Sequence, residues 1–327
     1  MIKKIFYYSL FIASLFPVFS FLPAPLIPPA ATKAPIRTVI IDPGHGGNFS
    51  GAEGLQSSEK EVSLSVALRF GQALQEEFPD IRVIYTRTKD ANAGNKPGLK
   101  EDLNYRADLA NASGGDLFIS FHCNSAGRKA GGWYEKVVTG RVRKTRMVKR
   151  KRKKVKEVYY EYRYANVWRE NQVRGTESYI WAADRTEAKT SSVALNNDFT
   201  GEIDSTGTIQ LPDPSDPAEK ARMLIYARQY FKKSLNFADL VQKEFAKRGR
   251  IDRGVKQRND EGIWVLQATG MPSVLIEIGF ISNREEEAYI NSKKGQEEIV
   301  ADVMGAFRSY KQKLELKTSS SVSSVNN

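Results

Sequence analysis

Four short apolar runs of strand character, set between amphipathic helical stretches, constrain what this chain can fold into more than any other feature. Thr38 to Ile41, Val83 to Thr86, Leu117 to Phe121 and Ser273 to Ile278 read as strands. Helical patterns occupy about Glu59 to Glu77, Leu103 to Ala112, Glu219 to Lys247 and Glu285 to Lys313. Strands that alternate with helices build a layered structure, so the expected fold is α/β: a single domain with a twisted, mostly parallel sheet flanked by helices. An apolar fraction of 41% over 327 residues supplies a real core.

The alternation fails from about residue 128 to 217, where a basic run, a tyrosine-rich segment and turn signals such as Pro212-Asp-Pro-Ser-Asp-Pro217 follow one another. This stretch is expected to be a long insertion rather than a second core. Residues 314–327 read as a disordered tail. At the other end Lys3 and Lys4 precede an almost wholly apolar run, Ile5 to Leu22, followed by Ala24, Ala30 and Ala31. Residues 1–35 therefore read as a signal peptide and linker, with an uncleaved anchor as the alternative, and the folded domain as 36–313. Export to a periplasmic or cell-wall location is the expectation.

The net charge of +12 is local. Arg141 to Lys156 carries 11 Lys or Arg and no acid, and without it the remaining 39 basic residues nearly match the 38 acidic ones. Such an arm fits an anionic surface, whether lipid headgroups or wall polymer; a solvated insertion without a fixed partner is the alternative. Tyr159, Tyr160, Tyr162 and Tyr164 follow the basic run rather than interrupt it, so no base-stacking platform and no nucleic acid partner is expected.

Only two histidines occur, each at the end of a strand-like run: His45 in IIDPGHGG and His122 in FISFHCN. Neutral imidazole is the commonest ligand for zinc, and two strand-end imidazoles point to one shared site. Cys123 is the sole cysteine, which excludes an intrachain disulfide and a thiolate cluster; it should face away from the metal, because adjacent strand side chains alternate. Imidazole and carboxylate must therefore hold any metal. Ser58 and Glu61 fit a capping box, which occupies Glu61 and leaves Glu59 as the third ligand candidate. Glu277, a carboxylate inside an apolar strand, must be paired or functional.

The ordered series IIDPGHGG (40–47), EKEVSLSVAL (59–68), VIYTRTKD (83–90), YRADLAN (105–111), DLFISFHCNS (116–125), DRGVKQ (252–257) and VLQATGMPSVLIEIGFISN (265–283) resembles the zinc-dependent N-acetylmuramoyl-L-alanine amidases of the Amidase_3 family. That resemblance implies Zn2+ held by His45, Glu59 and His122, with Glu277 as the catalytic carboxylate. It further implies hydrolysis of the amide between N-acetylmuramic acid and L-alanine in peptidoglycan, during wall remodelling or daughter-cell separation. A regulatory activator protein is a further implied partner, since some members carry an inserted helix over the zinc; acids of the present insertion such as Glu161, Glu170 and Glu177 could offer the same cover, although the insertion does not match that helix in sequence. Asp42, Asn124 and Asn283 read equally as groups supporting the site or as turn and cap residues. Two other classes stay open: a zinc peptidase acting on the stem peptide, and a non-catalytic wall-binding protein.

Overall fold

The computed structural model describes residues 35–183, 189, 191–192, 216–259 and 262–325. The expected signal peptide, residues 1–34 of it, lies outside them. Among the described residues no helix is long and apolar enough to cross a membrane.

Six strands form one sheet in the order β2-β1-β3-β8-β6-β7. They are β1 (Thr38–Pro43), β2 (Arg82–Tyr85), β3 (Leu117–Asn124), β6 (Thr176–Tyr179), β7 (Asp252–Lys256) and β8 (Ser273–Phe280). β1 runs parallel to β2 and β3, and β3 parallel to β8, while β6 is antiparallel to β8. This is the expected mostly parallel α/β sheet. Every residue of β1, β6 and β8 is buried, as strands covered on both faces require. One face packs Val39, Ile41, Phe121 and Ile276 against α1 (Glu59–Glu77), α3 (Pro217–Lys247) and α6 (Lys293–Val325); the other packs Ile40, Phe118 and Leu275 near α2 (Leu99–Ala112) and the single turn α4 (Trp264–Gln267).

The insertion takes a definite form, and two sequence expectations need correction. The insertion is structured: β4 (Gly132–Arg150) and β5 (Lys153–Glu170) pair along their length as an antiparallel hairpin. Its two-residue turn, Lys151-Arg152, has φ of +45° and +69°, the backbone that matches strand twist although neither residue is the usual Asn or Gly. The period-two alternation is present in the sequence but masked, because charged residues stand on both faces of a hairpin exposed on both sides. The insertion is also shorter than 128–217, since β6 returns to the central sheet beside β8. Finally, the tail expected to be disordered is helical: α6 runs to Val325, there being no Gly or Pro after Gly305 to stop it.

The single helix expected over 285–313 is broken at Ser292, whose extended backbone separates α5 (Arg284–Asn291) from α6 and whose hydroxyl accepts from the Gly295 N–H. Asn283 caps α5, accepting from the amides of Glu285 and Glu286. Of its two readings, the cap is the one observed.

Candidate metal centre

Parallel strands expose their carboxyl ends together, and that edge is where open α/β sheets place their sites. His45 follows β1, His122 lies near the end of the adjacent β3, and Glu277 is the register partner of His122 on β8. Glu59 reaches the same place from the first position of α1. One carboxylate oxygen of Glu59 and one ring nitrogen from each of His45 and His122 lie within 4.8 Å of one another.

Glu59 is set by its helix start. The Glu61 carboxylate accepts from both the N–H and the hydroxyl of Ser58 at 2.8 and 2.9 Å, as the capping reading requires. Glu59 is thereby left to the site: its Oε1 lies 3.1 Å from His45 Nε2 and 2.8 Å from His122 Nδ1, and accepts from the Cys123 amide at 3.0 Å. Its Oε2 accepts from the Ala52 amide at 2.8 Å. Burial would push its pKa up, but His122 and His45 outweigh burial and hold it well below the usual carboxylate range. Burial pushes the His122 imidazole down despite Glu59, leaving its lone pair available. An ionised carboxylate beside a neutral imidazole is the protonation state that a cation recruits.

The loop carrying His45 is strained and braced. His45 has φ of +59°, an uncommon conformation for a residue with a Cβ, of the kind that surrounding structure must enforce. Arg106 from α2 does so, donating to the His45 carbonyl at 2.6 Å and the Pro43 carbonyl at 2.8 Å. Arg106 is itself held by Asp42 at 2.7 Å and Asp102 at 2.6 Å, all three being buried. Asp42 also accepts from Thr86 and Ser120, each at 2.6 Å, so it supports the site rather than merely making a turn. Arg87 ties the other side of the loop, donating to the Pro43 and Gly44 carbonyls. Motif residues Arg87 and Arg106 are visible in the sequence, yet their bracing role is legible only once β2 and α2 are placed around β1.

Two glycines fit the imidazoles closely. A Cβ on Gly44 would fall on the His122 ring, and one on Gly51 would sit 2.5 Å from Glu59 Oε2 and 2.7 Å from the His45 ring. Cys123 does not join the cluster: its thiol is in the core, and burial raises its pKa well above the ordinary value. Two imidazoles and one carboxylate converge, therefore, in a donor set that suits zinc.

Glu277 shares a cleft of about 440 Å³ with the three ligand candidates, together with Arg258 and Trp264 from the segment before β8. Burial raises its pKa well above the ordinary carboxylate value, and its Oε2 is buried without a hydrogen-bond partner among the described residues. On the next strand Glu177 stands opposite it in register. Glu177 is already engaged by Arg253 and Lys256 (both 2.6 Å), and by Asn124 and Tyr179 (both 2.8 Å). Glu177, one of the acids that could have offered a cover over the metal, is thus engaged within the sheet. It is a sheet residue, and Glu161 and Glu170 lie on the hairpin strand β5. Asn124 lines the cleft and binds Glu177, which answers its two readings in favour of the site.

The profile of the Amidase_3 family, described as N-acetylmuramoyl-L-alanine amidase, matches residues 39–308. N-acetylmuramoyl-L-alanine amidase AmiC of Escherichia coli is 23% identical over 278 residues, covering 83% of this chain and 52% of that protein. The sporulation-specific N-acetylmuramoyl-L-alanine amidase of Bacillus subtilis is 37% identical over 89 residues, 27% of this chain and 32% of its own length. This chain therefore spans about a third to a half of these relatives. Among solved structures, the CwlD amidase of Clostridioides difficile in complex with the GerS lipoprotein is similar in fold, with a TM-score of 0.51 and 20% identity, covering 84% of this chain and 98% of that one.

Proposed function

This chain belongs to the Amidase_3 family of N-acetylmuramoyl-L-alanine amidases, and from that premise we propose that it hydrolyses the amide joining the lactyl group of N-acetylmuramic acid to the L-alanine of the peptidoglycan stem. The observation that carries this reading is the convergence of His45, Glu59 and His122 in one cleft with the partnerless buried oxygen of Glu277. His45, Glu59 and His122 would hold the zinc, which would supply Lewis-acid polarisation of a carbonyl and ease deprotonation of water near neutral pH.

The protein's own groups do the rest. Glu277 accepts a proton from the attacking water and returns it to the nitrogen of L-alanine as the C–N bond breaks, giving a free lactyl carboxylate and a free peptide amine. Its burial keeps it out of bulk water, and its register with His122 keeps it at the edge where the substrate carbonyl must lie. Arg106 and Arg87 fix the His45 loop, so the imidazole does not reorganise during turnover.

A wall substrate places the site of action outside the cytoplasm, with export through residues 1–35. An activator protein and an anionic surface that receives Arg141 to Lys156 complete the reading; the amidase of similar fold from Clostridioides difficile is itself found with a lipoprotein partner. Mass spectrometry of digested peptidoglycan tests it. Intact stem peptides with a free amino-terminal alanine support the assignment, and fragments cut within the stem favour a peptidase instead.

A further inference from the structure

The hairpin has two chemically different faces. Side chains alternate along a strand, and cross-strand partners share a face, so the uninterrupted strand β5 serves as a ruler. Its even-numbered residues include Tyr160, Tyr162, Tyr164 and Trp168, and their partners are Arg143, Arg141, Val138 and Tyr134. The aromatic run that follows the basic run in sequence is therefore folded back against it. The same face carries Lys136, Lys149, Lys154 and Lys156, and its sole acid, Glu170, lies at the root.

The odd-numbered face differs. Glu135, Glu157 and Glu161 all lie there, paired with Arg169, with Arg146 and Arg150, and with Lys144. Cations rest on rings on both faces, Arg146 lying 5.2 Å from the Tyr159 centroid on the odd one, but on the even face they do so without acid partners: Lys136 lies 4.6 Å from the Tyr164 centroid and Arg141 4.5 Å from that of Tyr160. These rings are not core residues, as Tyr134 is 70% exposed and Tyr164 52%. Several exposed aromatics in a row are costly to display without a partner.

The roots of the hairpin are tied to the segment that follows β8. The Gly131 amide donates to the Ser282 carbonyl at 2.9 Å, and Asn283 donates to the Asn171 carbonyl at 2.9 Å. Residues 282 and 283 lie two and three positions past the end of β8, which carries Glu277, and β4 begins eight residues after Asn124 at the end of β3.

Resting on the amidase reading above, we propose that the even-numbered face of the hairpin binds the glycan strand of peptidoglycan and feeds it towards the cleft. Flat sugar faces present C–H groups to exposed rings, and stem-peptide carboxylates meet the uncompensated Lys and Arg side chains. A hairpin of this length, about 60 Å at strand rise, suits a linear polymer better than a compact ligand. The continuity of its root with the strands bearing His122 and Glu277 favours the substrate polymer over an unrelated anion.

The test uses full-length protein carrying Glu277→Gln, so that sacculi survive the binding measurement. Sedimentation with purified sacculi is compared for four sets. Tyr160→Ala with Tyr162→Ala and Tyr164→Ala should weaken binding roughly tenfold or more, the combined effect of losing three ring contacts, while the matching Phe set retains it. Lys136→Thr, Arg141→Thr and Arg143→Thr should weaken binding more than Lys144→Thr, Arg146→Thr and Arg150→Thr, although both remove the same charge. With Glu277 restored, the Ala set should hydrolyse soluble muropeptides at the unaltered rate, which separates loss of binding from loss of fold or of amidase activity. Equal losses from the two charge sets, unchanged binding by the Ala set, or tighter binding to phosphatidylglycerol vesicles or single-stranded oligothymidylate than to sacculi would overturn the proposal.

Discussion

Arg106 binds Asp42 at 2.7 Å and, through its other terminal nitrogen, the carbonyl of His45 at 2.6 Å, so one buried guanidinium couples the end of β1 to the conformation of a ligand candidate. Arg106→Met leaves Asp42 buried without its cation. Breaking one side of a buried pair costs about 3–5 kcal/mol, so chemical denaturation should show a large loss of stability, and metal affinity should fall with it. A stability change within the range of an ordinary surface substitution would contradict this role.

Asp42 also sets an acid limit on stability. Burial alone would raise its pKa, but Arg106, Ser120 and Thr86 together outweigh burial and leave it below its ordinary value of 3.8. The unfolded chain then binds the proton more readily, and the contribution to stability is full above the unfolded pKa and is lost as pH falls through the lower folded one. Denaturation midpoints measured from neutral to acid pH should drop in this window, and Asp42→Asn should give a smaller drop from a lower starting stability.

Gly44→Ala tests the fit around His122 without touching a ligand. The added methyl would fall on the imidazole, forcing the ring to shift, so zinc affinity should fall about 10–100-fold while the thermal transition stays cooperative. Isothermal titration with zinc checks it, and native affinity would show that His122 has room the structure does not give it.

Removing a ligand tests the centre itself. Purified protein should carry about one zinc, as one site of three protein ligands and an open position implies. His122→Ala should lose the metal while keeping the fold, because the site sits at strand ends outside the two apolar clusters. Full zinc content in this variant, measured by elemental analysis, would remove His122 from the ligand set.

Much of this is legible in the sequence, for identifiable reasons. The α/β order followed from apolar runs whose period and length match their buried positions in β1, β3 and β8. Glu59 could be separated from Glu61 because a capping box is a local device encoded within four residues. β6 and β7 escaped notice because Thr176–Tyr179 and Asp252–Lys256 are short and polar, and their place depends on pairing across the sheet. For the same reason Glu177 reads in sequence as an acid of the insertion but in space as the register partner of Glu277. The bracing by Arg87 and Arg106 depends on tertiary placement that no local pattern carries.

The central claim is that Glu277 moves the proton in hydrolysis of the muramoyl amide, and the measurement that tests it most directly is muropeptide mass spectrometry of sacculi digested by the native chain and by Glu277→Gln. The native digest should contain intact stem peptides and muramic acid with a free lactyl carboxylate. Glu277→Gln should retain zinc and release these products at least about a hundredfold more slowly, the usual contribution of a positioned acid–base group. Native-rate release by Glu277→Gln, or cleavage confined to bonds within the stem peptide, would contradict the account.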